Sequence, residues 1–103
     1  MDNTTKQAPT LDNLRARRAE ILALAEQNGA YNVRVFGSVA RNETTETSDV
    51  DLLVSFRDGT SIFDQVGLWL DLQDLLGCDV DLLTDHPEAG RVTKTVRQKA
   101  IPL

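Results

Sequence analysis

The sequence predicts an α/β protein of the α+β type, with one small mixed β-sheet and helices mainly on one face, and three observations predict it. Short apolar runs at 33–36 and 50–54 alternate in the manner of strands. Two longer stretches, 11–27 and 62–76, repeat their apolar residues near the 3.6-residue period of a helix. The chain has 103 residues, 41% of them hydrophobic, which is enough for one modest core and not for two.

Residues 1–9 are polar and read as a flexible leader to a single domain over 10–103. Thr10 is a suitable N-cap for a helix over 11–27, with Leu14, Arg18, Ile21, Leu22 and Ala25 along one side and Asn28-Gly29 as its stop. Arg15, Arg17 and Arg18 are most simply its solvated face. In the strand that follows, Val33 and Val35 point one way and Arg34 and Phe36 the other. Gly37-Ser38 then opens a short helical turn through Val39, Ala40 and Arg41, and 42–48 is a polar loop in which Ser48 holds the local backbone. A second strand starts at Asp49. Arg57-Asp58-Gly59-Thr60 is a turn, Ser61 caps the second long helix, and Gly77 ends it. The stripe Ile62, Val66, Trp69, Leu70, Gln73 and Leu76 is expected to face inward, with Trp69 in the core or at a subunit contact and Asp64, Asp71 and Asp74 in solvent. Residues 79–83 alternate as a third strand. Pro87 and Glu88 favour the start of a last helix, with Val92 and Val96 inward and Arg91, Lys94, Arg97 and Lys99 outward. Ile101-Pro102-Leu103 is an apolar end that should dock on this domain or on a partner.

Net charge is −5, unevenly spread: residues 42–88 carry one basic and twelve acidic side chains, whereas 89–103 carry four basic and none acidic. An acidic centre repels a phosphate backbone, which disfavours a general DNA- or RNA-binding role. No apolar run approaches the roughly 18 residues of a membrane span, and the opening residues lack the apolar core of a signal peptide. A cytoplasmic protein is expected. The single cysteine, Cys78, cannot form an internal disulfide and is read as a packing residue. His86, alone at a helix start, reads as a cap or a solvated side chain, so hydrolase chemistry has little support.

The chemistry concentrates between residues 33 and 56. Asp49 and Asp51 are two apart on a strand, so both carboxylates leave the same face, where they repel unless something positive lies between them. Mg2+ is held by one or two carboxylates together with substrate phosphates. Gly37-Ser38 suits the other half of such a site, because glycine lets a phosphate approach the backbone and Ser38 offers a hydroxyl and an amide. A lone Gly-Ser is merely a turn and a lone Asp-x-Asp merely a solvated strand end; their conjunction, each at a strand end, argues for a triphosphate and a metal. Asp79 and Asp81 share a face of the third strand, and parity alone does not choose which of them reaches the site.

Phe36-Gly37-Ser38-Val39-Ala40-Arg41, Ser48-Asp49-Val50-Asp51-Leu52-Leu53-Val54 and Leu76-Gly77-Cys78-Asp79-Val80-Asp81-Leu82 together resemble the nucleotidyltransferase superfamily that includes polymerase beta. The likeness is to its minimal, single-domain branch, the MNT proteins, and runs over about 11–103. It implies a nucleotidyltransferase fold in which Gly37 and Ser38 hold the triphosphate of ATP, Asp49 and Asp51 bind Mg2+, and Asp81 completes the carboxylate triad, holds metal with them and helps activate the acceptor hydroxyl. Two Mg2+ ions are expected. One departure is Asn42, where the branch usually has glycine. The resemblance further implies an antitoxin that transfers AMP from ATP to a tyrosine of a partner HEPN-domain ribonuclease toxin.

Size supports an external acceptor, since the predicted elements consume the chain and pockets commonly form between domains. Two rival readings remain beside this one: an antitoxin that only covers its toxin, and a transferase acting on a small molecule.

Overall fold

A computed structural model describes residues 9–45, 47–85 and 94–103. The expectations for residues 1–8 of the leader and for His86, Pro87, Glu88, Arg91 and Val92 lie outside the described residues. The elements run α1 (Leu11–Ala16), α2 (Arg18–Gln27), β1 (Ala30–Phe36), α3 (Gly37–Ala40), β2 (Val50–Phe56), α4 (Ile62–Leu76), β3 (Val80–Thr84), α5 (Lys94–Lys99) and β4 (Ile101–Pro102). The four strands form one mixed sheet in the order β3-β2-β1-β4, with β1 antiparallel to β2 and β4 and with β2 parallel to β3.

Alternation along the strands divides the sheet into two unlike faces. Val33 and Val35 of β1 and Val50, Leu52 and Val54 of β2 join Leu14, Ile21 and Ala25 of the first helices and Leu68 and Leu72 of α4 in the main core. The opposite residues, Leu53 and Leu83, form a smaller cluster with Phe36, Val96 and Ala100, so α5 covers part of the second face. Asp51 lies on that second face two residues before Leu53, beyond the reach of the main core.

Local capping follows the sequence. The Asn13 amide donates to Thr10 Oγ1 at 3.1 Å, the Asp64 amide to Ser61 Oγ at 3.1 Å and the Thr45 amide to Ser48 Oγ at 2.8 Å. The apolar C-terminus docks on this domain as β4 beside β1, and Arg18 Nε donates to the Leu103 carbonyl at 2.9 Å. Cys78 is half-buried and packs against the main core.

Two expectations are corrected. The helix predicted over 11–27 is broken at Arg17, whose backbone leaves helical angles (φ −108°, ψ 17°). Its guanidinium donates to the Leu75 carbonyl at the end of α4 (3.0 Å) and pairs with Glu20 (3.1 Å), tertiary and local bonds that periodicity does not register. Arg18, counted from sequence both along the apolar side and on the solvated face, is exposed, so its reading as a solvated side chain is the one that holds. The second correction concerns α4. Its core face carries Leu68 and Leu72, whereas Ile62, Val66, Trp69 and Leu70, expected inward, are exposed. The helix is apolar on both faces, and burial on one leaves the other open.

Candidate active site

Strand register brings the sequence-predicted residues to one end of the sheet. Phe36 at the end of β1 is opposite Asp51, and Asp51 is opposite Asp81 in the parallel β2–β3 pair. Neighbouring strands lie roughly 4.8 Å apart, so Gly37, Asp51 and Asp81 follow one another across three adjacent strands. Paired residues of a parallel ladder project from the same face, which gives Asp81 the face of Asp51. Asp49 immediately precedes β2 and is exposed, whereas Asp51 is half-buried. Asp79 precedes β3, and its carbonyl accepts from the Val50 amide at 3.0 Å, leaving Asp81 as the acid opposite Asp51.

Gly37 is shaped by its neighbour. Its φ is +71°, and a Cβ added there would overlap the Asp51 carboxylate. Only glycine permits both the left-handed backbone and this close approach. Ser38 follows in the first turn of α3, which closes with the Arg41 amide on the Gly37 carbonyl (3.1 Å) and the Glu43 amide on the Ser38 carbonyl (2.9 Å). Asn42, the departure from the motif, has φ +58°, a region that asparagine tolerates better than other residues with a Cβ.

The electrostatics are those of excess negative charge. Burial pushes the Asp51 carboxyl above its ordinary value, and the charges of Asp81 and Asp49 push it the same way. Arg41 offsets part of this, although its guanidinium also bonds Glu43 (2.6 Å). Its influence on Asp51 carried no distinct signal in the sequence. Among the described residues no three acidic, histidine or cysteine groups are clustered tightly enough to hold a metal by themselves. The arrangement suits a cation that takes one or two carboxylates and completes its shell with substrate oxygens, as Mg2+ does.

On the far side of Asp81 a groove of about 560 Å3 runs between α4 and the outer edge of β3. Asp49, Asp79 and Asp81 line one part of it and Ile62, Val66 and Trp69 another. Nothing in the sequence distinguishes this trough, because an apolar stripe at helical spacing has the same pattern whether it faces a core or a groove.

Comparison with known proteins agrees with this geometry. Residues 19–101 match the family described as the nucleotidyltransferase domain. The protein adenylyltransferase MntA of Thermococcus cleftensis is 37% identical over 76% of this chain and 79% of its own. A protein of Methanocaldococcus jannaschii provisionally named a protein adenylyltransferase is 42% identical over 70% of this chain and 77% of its own. A solved structure provisionally described as a minimal nucleotidyltransferase superposes with a TM-score of 0.80 at 47% identity, covering 92% of this chain and 97% of that one. A toxin–antitoxin crystal structure with AMP-PNP aligns with a TM-score of 0.55 at 26% identity, over 64% of this chain and 55% of that one.

Proposed function

Because this chain belongs to the nucleotidyltransferase domain family, we propose that it is an antitoxin that transfers AMP from ATP to a tyrosine of a partner HEPN-domain ribonuclease toxin. The observation that carries the reading is the row of Gly37, just after β1, Asp51 on β2 and Asp81 on β3, with negative charge at its centre that Arg41 offsets only in part. The MntA name and the toxin–antitoxin structure with AMP-PNP support the choice of adenylyl group and of partner.

In the proposed reaction an acceptor oxygen attacks the α-phosphorus of ATP, the bond to the β-phosphate oxygen breaks, and pyrophosphate leaves. Gly37 and Ser38 would take the triphosphate, the glycine by letting phosphate meet backbone and the serine through its hydroxyl and amide. Asp49 and Asp51, with Asp81, would hold Mg2+. When bound, such ions, typically two, supply positive charge for the attacking and departing oxygens together. Asp81, last in the row and first beside the groove, would orient the acceptor hydroxyl and receive its proton.

Intact mass of the co-expressed partner provides the test. A gain of whole AMP units with the wild-type chain, reduced by roughly a hundredfold or more in rate for Asp49→Ala and Asp51→Ala, is the expected result. Wild-type rates in either variant would refute the site. Neutralisation of the toxin with no added mass would favour occlusion alone.

A further inference from the structure

The groove beside Asp81 has features that nucleotide transfer alone does not require. Five of the six large hydrophobic side chains exposed among the described residues lie on α4: Ile62 (64%), Phe63 (84%), Val66 (44%), Trp69 (39%) and Leu70 (51%). Three of these, Ile62, Val66 and Trp69, line the groove, with Asp49, Asp79 and Asp81 at its carboxylate end. None of the described side chains lining it is basic.

The trough also has a fixed wall. In the parallel β2–β3 pair Asp79 bonds toward β2, so Val80 turns its backbone groups to the outer edge. There the Val80 amide donates to Gln73 Oε1 (3.1 Å) and the Val80 carbonyl accepts from Trp69 Nε1 (2.6 Å). Two side chains of α4 thereby occupy the edge that an added strand would need, and hold the indole as a rigid border. An occupant must engage side chains rather than extend the sheet.

Position then assigns the occupant. Across the sheet the order is Gly37-Ser38 after β1, Asp49 just before β2 and Asp51 on it, Asp81 on β3, and then the groove. A triphosphate at the first and an acceptor in the last would approach the carboxylates from opposite sides, as an in-line displacement requires. A second copy meeting the groove through the same face would bring like charge, since residues 42–88, which include every residue lining it, carry twelve acidic side chains against one basic. We propose that the groove between α4 and β3 docks a segment of the acceptor protein whose apolar side fills the trough, whose lysines or arginines face Asp49, Asp79 and Asp81, and whose hydroxyl ends beside Asp81. Delivery of the hydroxyl rests on the transferase reading; docking does not.

Trp69 is the only tryptophan in the chain and borders the groove, so its fluorescence reports occupancy without any chemistry. Two synthetic peptides serve as probes, each with the same apolar centre around one tyrosine, one flanked by lysines and the other by glutamates. Both are titrated against the Asp51→Asn chain, whose substituted residue does not line the groove. The lysine-flanked peptide should change the Trp69 emission saturably, the glutamate-flanked peptide should bind at least tenfold more weakly, and Val66→Gln should weaken the lysine peptide at least fivefold. No response, equal response to both peptides, or indifference to Val66→Gln overturns the proposal. So does a change in emission with protein concentration alone together with a dimer mass, which would put a second copy in the groove. With wild-type chain, ATP and Mg2+, the bound peptide should gain AMP on its tyrosine. Docking without AMP addition upholds the groove and counts against the transferase reading.

Discussion

A methyl group on residue 37 would land on the carboxylate of Asp51, and this ties a backbone requirement to a chemical one. Gly37→Ala should cost about 1–2 kcal/mol for a side chain in the left-handed region, and it should also displace Asp51. Gly59 separates these effects, since it too has positive φ (+84°) but open space around its absent Cβ. Gly59→Ala should therefore lower Tm by a similar amount, roughly 4–8 °C per kcal/mol in a domain of this size, and leave nucleotide transfer intact, whereas Gly37→Ala should lose both. Thermal melts beside a transfer assay decide it; equal activity in the two variants would separate Gly37 from the site. At this scale the sequence was informative because glycines and paired acids are uncommon and their spacing is short. Parity left Asp79 and Asp81 equivalent, and only the register of β3 against β2 separated them. Arg41 was not resolved from sequence, because its effect on Asp51 acts through space.

Among the elements, α4 shows why periodicity finds a helix more readily than its orientation. Leu68 and Leu72 define one apolar face and Ile62, Val66 and Trp69 another, so a 3.6-residue stripe can be drawn through either. Packing against the sheet selects the leucines, and the face that lines the groove is what remains. Element α5 is held differently. Asp85, just after β3, accepts from Arg97 Nε of α5 at 2.7 Å, and Arg34 Nη2 of β1 stands 2.9 Å from its other oxygen, an ionic contact without the alignment of a hydrogen bond. Burial works to raise the Asp85 carboxyl, but the Arg97 hydrogen bond and the Arg34 guanidinium outweigh it and hold it below its ordinary value. A depressed carboxyl stabilises the fold above its unfolded value, near pH 4, and that contribution is lost as pH falls through the lower folded value. Asp85→Asn should cost roughly 1.5–3 kcal/mol at pH 7 in urea unfolding. The gap to wild type should close as pH is lowered below about 4, and a gap constant with pH would mean that charge is not what ties α5 down.

At the scale of the molecule the carboxylates set stability against function. Asp51 is half-buried with Asp81 and Asp49 acting on it as like charges, a placement that costs free energy unless a cation offsets it. In metal-free buffer Asp51→Asn should raise the stability of the chain, because it removes a half-buried charge and its repulsion by Asp81 and Asp49. The same substitution should abolish transfer, as stability is often gained where a site is relieved of its strain. Ligand reverses the comparison. Mg2+ with a non-hydrolysable triphosphate at a hundred times its dissociation constant would add about 2.7 kcal/mol to the wild-type fold through mass action alone. The amide introduced by Asp51→Asn, neutral and a poorer ligand, should forfeit most of that gain, so the melting curves of the two chains should cross over on adding ligand. Scanning calorimetry with and without Mg2+ and triphosphate reads both halves. A variant less stable than wild type in metal-free buffer, yet stabilised equally by ligand, would show that Asp51 is a structural acid and that the negative charge at the strand ends serves something other than a metal-bound nucleotide.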